Sequence, residues 1–353
     1  MRLTCLFIIL LFNFVRFGHC QNNNVEVEGL IFEDLQKDLI ATNKYVTDLF
    51  QDSNGFIWMG SFYGVNVFDG TNFSFYKDHL DNNDGFKGYR VRKILESNNG
   101  KILVAMRNSG INVFDPATGK FKNYYDSIFK GVEYDIIQNI AESKSGELYI
   151  TTGREVIVVK FDENENLVQH HIFKVKLNKK EYIRSGLFFN GNFLVETNQR
   201  ILKLDETSIY TLYEGFNIRK CVVIQNELWI RADQRIGRLN INTKSTKWLN
   251  FELPREEIYI TDFKFAHQNL LFIGTKKGCI RLDLNSDFDV VKATKLHINK
   301  SNAVVRIFSD NSDNLYFSVS GEGGGIKKLN INQLKNRYIG LPPLEKDYAL
   351  HTF

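Results

Sequence analysis

The chain has 353 residues, with 45 Lys and Arg against 41 Asp and Glu, for a formal charge of +4. That charge is spread thinly and forms no basic run, so neither a nucleic-acid surface nor an anionic-membrane surface is implied. Four prolines, 25 glycines, 13% aromatic residues and no long stretch of helical periodicity point instead to short strands and tight turns.

At the N-terminus, Met1-Arg2 gives a short positive start, Leu6 to Phe12 is an unbroken apolar run, and Gly18-His19-Cys20 places small residues at the −3 and −1 positions of a cleavage site before Gln21. This reads as a secretory signal peptide over residues 1–20 and implies export, with the periplasm as the expected compartment. The run is too short for a membrane span, and Asn13, Arg16 and His19 interrupt any uncleaved anchor. His19 stands where a lipoprotein signal wants a small residue. The mature chain then keeps Cys221 and Cys279, two cysteines in apolar surroundings that read as small buried fillers rather than as a disulfide framework.

The informative feature is an internal repeat. Its best copy runs from Val46 to Tyr76. Val46 to Gln51 alternates apolar and polar residues, Asp52-Ser53-Asn54-Gly55 supplies a turn, and Phe56 to Ser61 is a second strand. Tyr63-Gly64 turns the chain into Val65 to Phe68, and Asp69-Gly70 turns it into Phe73 to Tyr76. Four antiparallel strands joined by hairpins make one propeller blade. Second and third copies turn at Asn98-Asn99-Gly100 and Lys144-Ser145-Gly146, with the second ending in a strand from Phe121 to Tyr125. A fourth, around Asn190 to Val195, has lost part of its first turn. Copies five to seven centre on Trp229, Phe272 and Tyr316.

The large residues of the second strands are Trp58, Leu103, Tyr149, Leu194, Trp229, Phe272 and Tyr316, at separations of 45, 46, 45, 35, 43 and 44 residues. That is the period of a four-stranded blade, and these side chains should pack between blades. The expected fold is all-β: a seven-bladed β-propeller of four-stranded antiparallel blades over residues 21–340, followed by a C-terminal tail, 341–353. Gly29 to Phe32 looks like an outer strand without inner strands of its own, suited to closing the ring by completing the seventh blade.

The segment Gln51 to Gly70, QDSNGFIWMGSFYGVNVFDG, closely resembles the two-component regulator propeller repeat, and Glu33-Asp34-Leu35 is similar to the lead-in before the first such repeat. The match is specific in the first two copies and degenerate in copies three to five. The resemblance implies the sensor part of a hybrid two-component system of the Bacteroidetes type, periplasmic, with many members responding to oligosaccharides. Such sensors usually continue into a second propeller, an immunoglobulin-like domain, a membrane helix and a kinase. For a chain ending at Phe353 the resemblance therefore implies a truncated or split sensor, a ligand-binding partner for a separate histidine kinase or sensor subunit, or a free-standing propeller.

In a propeller, the entrances of the inner strands and the turns between second and third strands share one face around the central channel. Tyr45, Tyr89, Tyr134, Tyr182 and Tyr259 fall near inner-strand starts, and Phe62-Tyr63 lies in the first blade's second turn. Flat rings with hydroxyl tips suit a sugar. Arg90, Arg184 and Arg219 lie near the same entrances and suit carboxylate or sulfate groups. These ten residues form the candidate ligand site, for an oligosaccharide; the same face, or the outer blades, also suits a non-catalytic protein-interaction scaffold.

Catalytic, metal and cofactor roles are not expected. The acids Asp52, Asp69, Asp115, Asp162, Asp205 and Asp283 sit at repeat positions that read as turns. Neither a Gly-x-Ser-x-Gly elbow nor a His-Glu-x-x-His helix occurs. The glycine cluster Gly321 to Gly325 lacks the Lys-Ser/Thr of a phosphate loop, and Asp81 to Gly85 misses the spacing of a calcium loop. His170-His171 has no second ligand pair and reads as a solvated strand end.

Overall fold

A computed structural model describes residues 25–27, 30–35, 46–78, 84–133, 135–163, 166–205, 208–251, 259–266, 269–296, 298, 302–321 and 324–331. The segment read as a signal peptide and the tail 341–353 lie outside these residues. Among the described residues no helix is long and apolar enough to cross a membrane.

Seven antiparallel sheets form seven blades; in six of them the four strands pair in chain order, and in the seventh the three C-terminal strands do. The first blade contains Val46–Gln51, Ile57–Ser61, Val65–Phe68 and Phe73–Tyr76. The inner strands of the others are Val91–Glu96, Asn139–Glu142, Ile183–Phe189, Ile218–Ile224, Ile260–Ala266 and Val304–Ser309. Inner strands of neighbouring blades touch, including those of blades 7 and 1, and Lys220 pairs with Asp262 across the seam of blades 5 and 6, so the ring closes. Beside Gly325–Asn330 of blade 7 lies Leu30–Asp34, with Phe32 opposite Leu329, and Val25–Val27 pairs beyond it.

The core is divided into seven apolar clusters, one at each seam. Trp58 packs with Val91, Ile94 and Val104 between blades 1 and 2; Tyr316 packs with Val46, Leu49 and Met59 between blades 7 and 1. Leu103, Leu194, Trp229 and Phe272 are buried at four other seams, and Tyr149 packs half-buried at the remaining one. The seven period-marking residues are therefore inter-blade packing, as their spacing predicts.

The repeat's glycine has a steric cause. A Cβ on Gly60 would come within 2.5 Å of Val91 Cγ1, and one on Gly274 within 2.9 Å of Val304 O. Each sits where the next blade's inner strand passes, so any larger residue would wedge the seam open.

Turn chemistry explains why some copies look degenerate. In blade 1, Asp52 Oδ1 accepts from Asn54 N (3.0 Å) and Phe56 N (2.9 Å), while Oδ2 accepts from Trp58 Nε1 (2.8 Å). Asp310 repeats this in blade 7, reaching Ser312 N, Asn314 N and the Tyr316 hydroxyl. Blades 4 and 5 replace the four-residue turn with two-residue hairpins. Asn190-Gly191 has φ of 47° and 75°, and Gln225-Asn226 has 50° and 60°, as a type I′ turn requires. Without that aspartate, Trp229 Nε1 is buried with no hydrogen-bond partner among the described residues.

Three local readings are corrected. The outer strand of blade 2 ends at Asn123, and Tyr125–Ile128 is a short helix packed into the seam with blade 3. Asp283 lies inside the strand Gly278–Leu284, paired with Arg281 (3.0 Å), and the turn is made by Asn285, whose Oδ1 accepts from Asp287 N and Asp289 N. His170 and His171 belong to the long outer strand Leu167–Lys174, with His170 Nε2 2.7 Å from Ile128 O.

Candidate functional site

A belt of backbone hydrogen bonds defines the upper face. Arg90 N donates to Phe62 O (3.0 Å), Arg90 O accepts from Arg107 N (2.9 Å), and Ile137 N donates to Arg107 O (3.0 Å). The pattern continues through Ile183 N to Gly153 O, Asn198 N to Tyr182 O, Ile218 N to Asn198 O, and Lys276 N to Tyr259 O. The inner-strand entrances of blades 2 to 6 are thereby tied to a second turn, their own or that of the preceding blade. Phe62, Tyr63, Tyr89, Arg90, Tyr182, Arg184, Arg219 and Tyr259 thus share one face; Tyr45 and Tyr134 lie outside the described residues.

Tyr63 is 64% exposed, Tyr89 63%, Tyr259 54% and Tyr182 44%. Three cations stand beside rim rings: Arg90 lies 4.8 Å from the Phe62 centroid, Arg184 5.7 Å from that of Tyr182, and Lys276 Nζ 3.9 Å from that of Tyr259. Arg184 Nη1 also donates to the Tyr182 hydroxyl (2.9 Å). Each contact orients a ring without burying it, leaving a π-face and an edge toward solvent.

Sequence reading missed two members of this face. Phe216, 81% exposed, stands two residues before Ile218, as Tyr89 stands two before Val91. Lys276 occupies the second turn of blade 6. The sequence signal for Phe216 was its place two residues before an inner strand; in the structure Arg90 and Asn217, each directly preceding the inner strand, both hold positive φ, 65° and 52°. A matched strained backbone carries a matched aromatic before it.

Below the rim, the inner strands carry a recurrent bulge. The pairing register skips between Val46 and Asp48, Val91 and Lys93, Ile183 and Ser185, Ile218 and Lys220, Ile260 and Asp262, and Val304 and Arg306. The skipped residues are Thr47, Arg92, Arg184, Arg219, Thr261 and Val305, left unpaired on the channel wall. One residue further on, side chains bond across the seams. Asp48 Oδ2 accepts from Ile94 N (2.8 Å) and Lys93 Nζ (3.1 Å), and Asp262 Oδ2 accepts from Ile307 N (3.0 Å) while Oδ1 pairs with Lys220. Glu196 Oε2 accepts from Cys221 N (2.9 Å), and Arg306 Nε donates to Thr47 O (2.9 Å).

Burial acts against the ionised form of these acids, with different outcomes. At Asp262 it is outweighed by Lys220 and Arg306, and the carboxyl stays below its ordinary value. At Glu196 it wins, raising the carboxyl, since Arg184 Nε stands off at 3.8 Å. Burial, reinforced by Glu196, also pushes the Cys221 thiol well up, and both Cys221 and Cys279 are buried and outside any disulfide. That is the behaviour of inert packing groups.

Two cavities lie elsewhere. One of about 380 Å³ opens between blades 3 and 4 beside Glu147, Gly191 and Asp205, at the turns of the opposite face. Another of about 550 Å³ lies along the outer strands of the same blades, beside Lys174, Asn178 and Thr211. The candidate rim is an open platform, unlike the enclosed apolar pocket typical of small-molecule sites.

A profile of the two component regulator propeller family matches residues 41–63, from the approach to the first inner strand through Tyr63. This bears out the resemblance of Gln51 to Gly70. No curated protein matches the chain. Among solved structures, the extracellular domain of the putative hybrid two component system BT4673 from B. thetaiotaomicron superposes with a TM-score of 0.67 at 19% identity, over 87% of this chain and 43% of that one. The corresponding domain of the putative hybrid two component system BT3049 from B. thetaiotaomicron gives 0.65 and 19%, over 82% and 40%. Selenomethionine-substituted virginiamycin B lyase from Staphylococcus aureus gives 0.59 and 14%, over 80% and 93%. At these identities the likeness is one of fold, and the chain spans less than half the length of the first two.

Proposed function

We propose that this protein is a non-catalytic, extracytoplasmic sensing propeller that takes an oligosaccharide on its aromatic rim and reports to a separate histidine kinase or sensor subunit. The observation that carries the reading is the clustering of exposed rings. Of the ten exposed large apolar or aromatic side chains among the described residues, Tyr63, Tyr89, Tyr182, Phe216 and Tyr259 all lie on this one face. A rigid ring of aromatic platforms loses little side-chain freedom on binding and suits stacking against sugar faces, with tyrosine hydroxyls and neighbouring cations for the polar edges. The N-terminal segment read as a signal peptide, the regulator-propeller repeat and the fold shared with extracellular sensor domains agree with it. The turn acids support the non-catalytic part, since Asp52, Asp69, Asp115 and Asp162 are engaged with local backbone amides rather than aimed at a shared cleft.

Phe216, at 81% exposure and without a hydroxyl, favours a second reading in which the same face docks a protein. Calorimetric titration of the mature protein with neutral, uronate-bearing and sulfated oligosaccharides separates the two. We expect saturable binding of one class, weakened about tenfold by Tyr89→Ala and by Tyr259→Ala, in line with the loss of one stacking contact. Absence of binding across the panel, together with capture of a protein partner that depends on Phe216, overturns the saccharide reading.

A further inference from the structure

Closure of the ring gathers arginines that are far apart in the chain. Arg92 and Arg107 come from blade 2, Arg184 from blade 4, Arg219 and Arg231 from blade 5, and Arg306 from blade 7. They stand on or beside the channel wall at the rim end. After burial, the forces that lower Arg92 to about 10 are the charges of Arg107, Arg90 and Arg306. Arg231 is lowered to about 10 by burial and by Arg184, Arg219 and Arg306, against the opposing pull of Asp262. The arginines therefore feel one another around the opening, and a guanidinium remains charged throughout the physiological range.

Most counter-charge on this wall is already committed. Of the carboxylates named above, Asp48 and Asp262 are each held by a lysine and a backbone amide, while Glu196 accepts from Cys221 N through Oε2 and leaves Oε1 3.8 Å from Arg184 Nε, beyond hydrogen-bond distance. The Nε atoms of Arg92, Arg107, Arg184 and Arg231 are buried with no hydrogen-bond partner among the described residues. Arg231 is only 7% exposed. Buried donors left open and like charges brought together both cost free energy, and one group corrects both faults: an anion with several oxygens. Low-dielectric walls around a channel concentrate the field of such a ring on its opening.

We propose that the rim end of the central channel is a binding site for an oxyanion, a sulfate- or carboxylate-class group held by this arginine ring. The site stands whether or not a saccharide occupies the tyrosines. Its ligand is a free small anion or the acidic group of a larger one, and the guanidinium forks recognise both through the same paired oxygens.

The test is the melting temperature and calorimetric titration of the mature protein with sodium sulfate, with sodium chloride at matched ionic strength, with a monosaccharide sulfate and with its neutral parent sugar. We expect a saturable stabilisation by sulfate or by the sugar sulfate that chloride does not reproduce. Arg92→Gln should weaken it about tenfold, and Lys292→Gln, on an exposed outer-strand position, should leave it unchanged. Arg219→Gln, an exposed side chain, serves as the second variant if Arg92→Gln does not fold. Response to inorganic sulfate identifies a free-anion site, and response to the sugar sulfate alone identifies a saccharide-borne group. Equal effects of sulfate and chloride, or equal loss in Lys292→Gln and Arg92→Gln, overturn the proposal as general screening. Neutral oligosaccharide binding that persists in Arg92→Gln keeps the rim reading standing when this one falls.

Discussion

Asp262 shows how much one side chain holds at a seam. It is 2% exposed, accepts Ile307 N from the next blade and pairs with Lys220, whose side chain is about one-third exposed. Replacing it with alanine strands an amide and a lysine, and we expect Asp262→Ala to cost about 3 kcal/mol at pH 7. The sign with pH follows from the lowered carboxyl: its contribution is present above the ordinary value of 3.8 and is lost as pH falls through the folded-state value below that. Urea titrations of wild type and variant should therefore diverge above pH 5 and converge in strong acid. A difference independent of pH would mean that lost packing, and not the charge, sets the cost. The aspartate was visible in the sequence only as part of an alternating strand, because its partners come from other segments.

At the scale of the element, the repeat's first turn is a device for satisfying groups that the blade buries. Asp52 bonds two backbone amides and the indole of Trp58, which is 2% exposed. Asp52→Ala leaves that indole N–H without its acceptor, and we expect a loss of about 2–3 kcal/mol in denaturant unfolding. Trp58→Phe, which deletes the donor, should make a following Asp52→Ala markedly milder; full additivity of the two would contradict the pairing. Blades 1 and 7 carry this turn intact, and the first two copies were the most specific match to the repeat. Blades 4 and 5 were harder because Asn190-Gly191 and Gln225-Asn226 reverse the chain in two residues with positive φ and without that aspartate. The short helix Tyr125–Ile128 was missed for a different reason: four residues carry no periodicity, and it is held by packing of Tyr124, Ile128 and Phe129 into the seam.

Across the whole molecule, seven seams of similar construction make stability a property of the ring. Phe32, from the strand beside Gly325–Asn330, is 1% exposed and meets Phe317 edge-on at 5.8 Å. Phe32→Ala should cost about 3–5 kcal/mol. Because a closed ring has no free end from which one blade can peel independently, the variant should melt in a single lowered transition, with calorimetric and van't Hoff enthalpies equal. A separate early transition confined to blade 7 would show that the N-terminal strand covers an edge without coupling it to the ring.

The amino-acid sequence by itself determined the blade count, the strand order within a blade and the seven inter-blade residues. All of these rest on contacts between neighbours in the chain: alternation, turn residues and a steady period. Tertiary structure alone decided which charges meet. A net charge of +4 spread along 353 residues gave no sign of a basic site; inner-strand entrances marked Arg90, Arg184 and Arg219, and closure adds Arg92 and Arg306 around the same opening. The same closure assembled Tyr89, Tyr182, Phe216 and Tyr259 on one face, each contributed by a different blade. Local hydrogen bonding and hydrophobic spacing write the blades into the sequence, whereas a field or a surface summed over several blades exists only once the ring has formed.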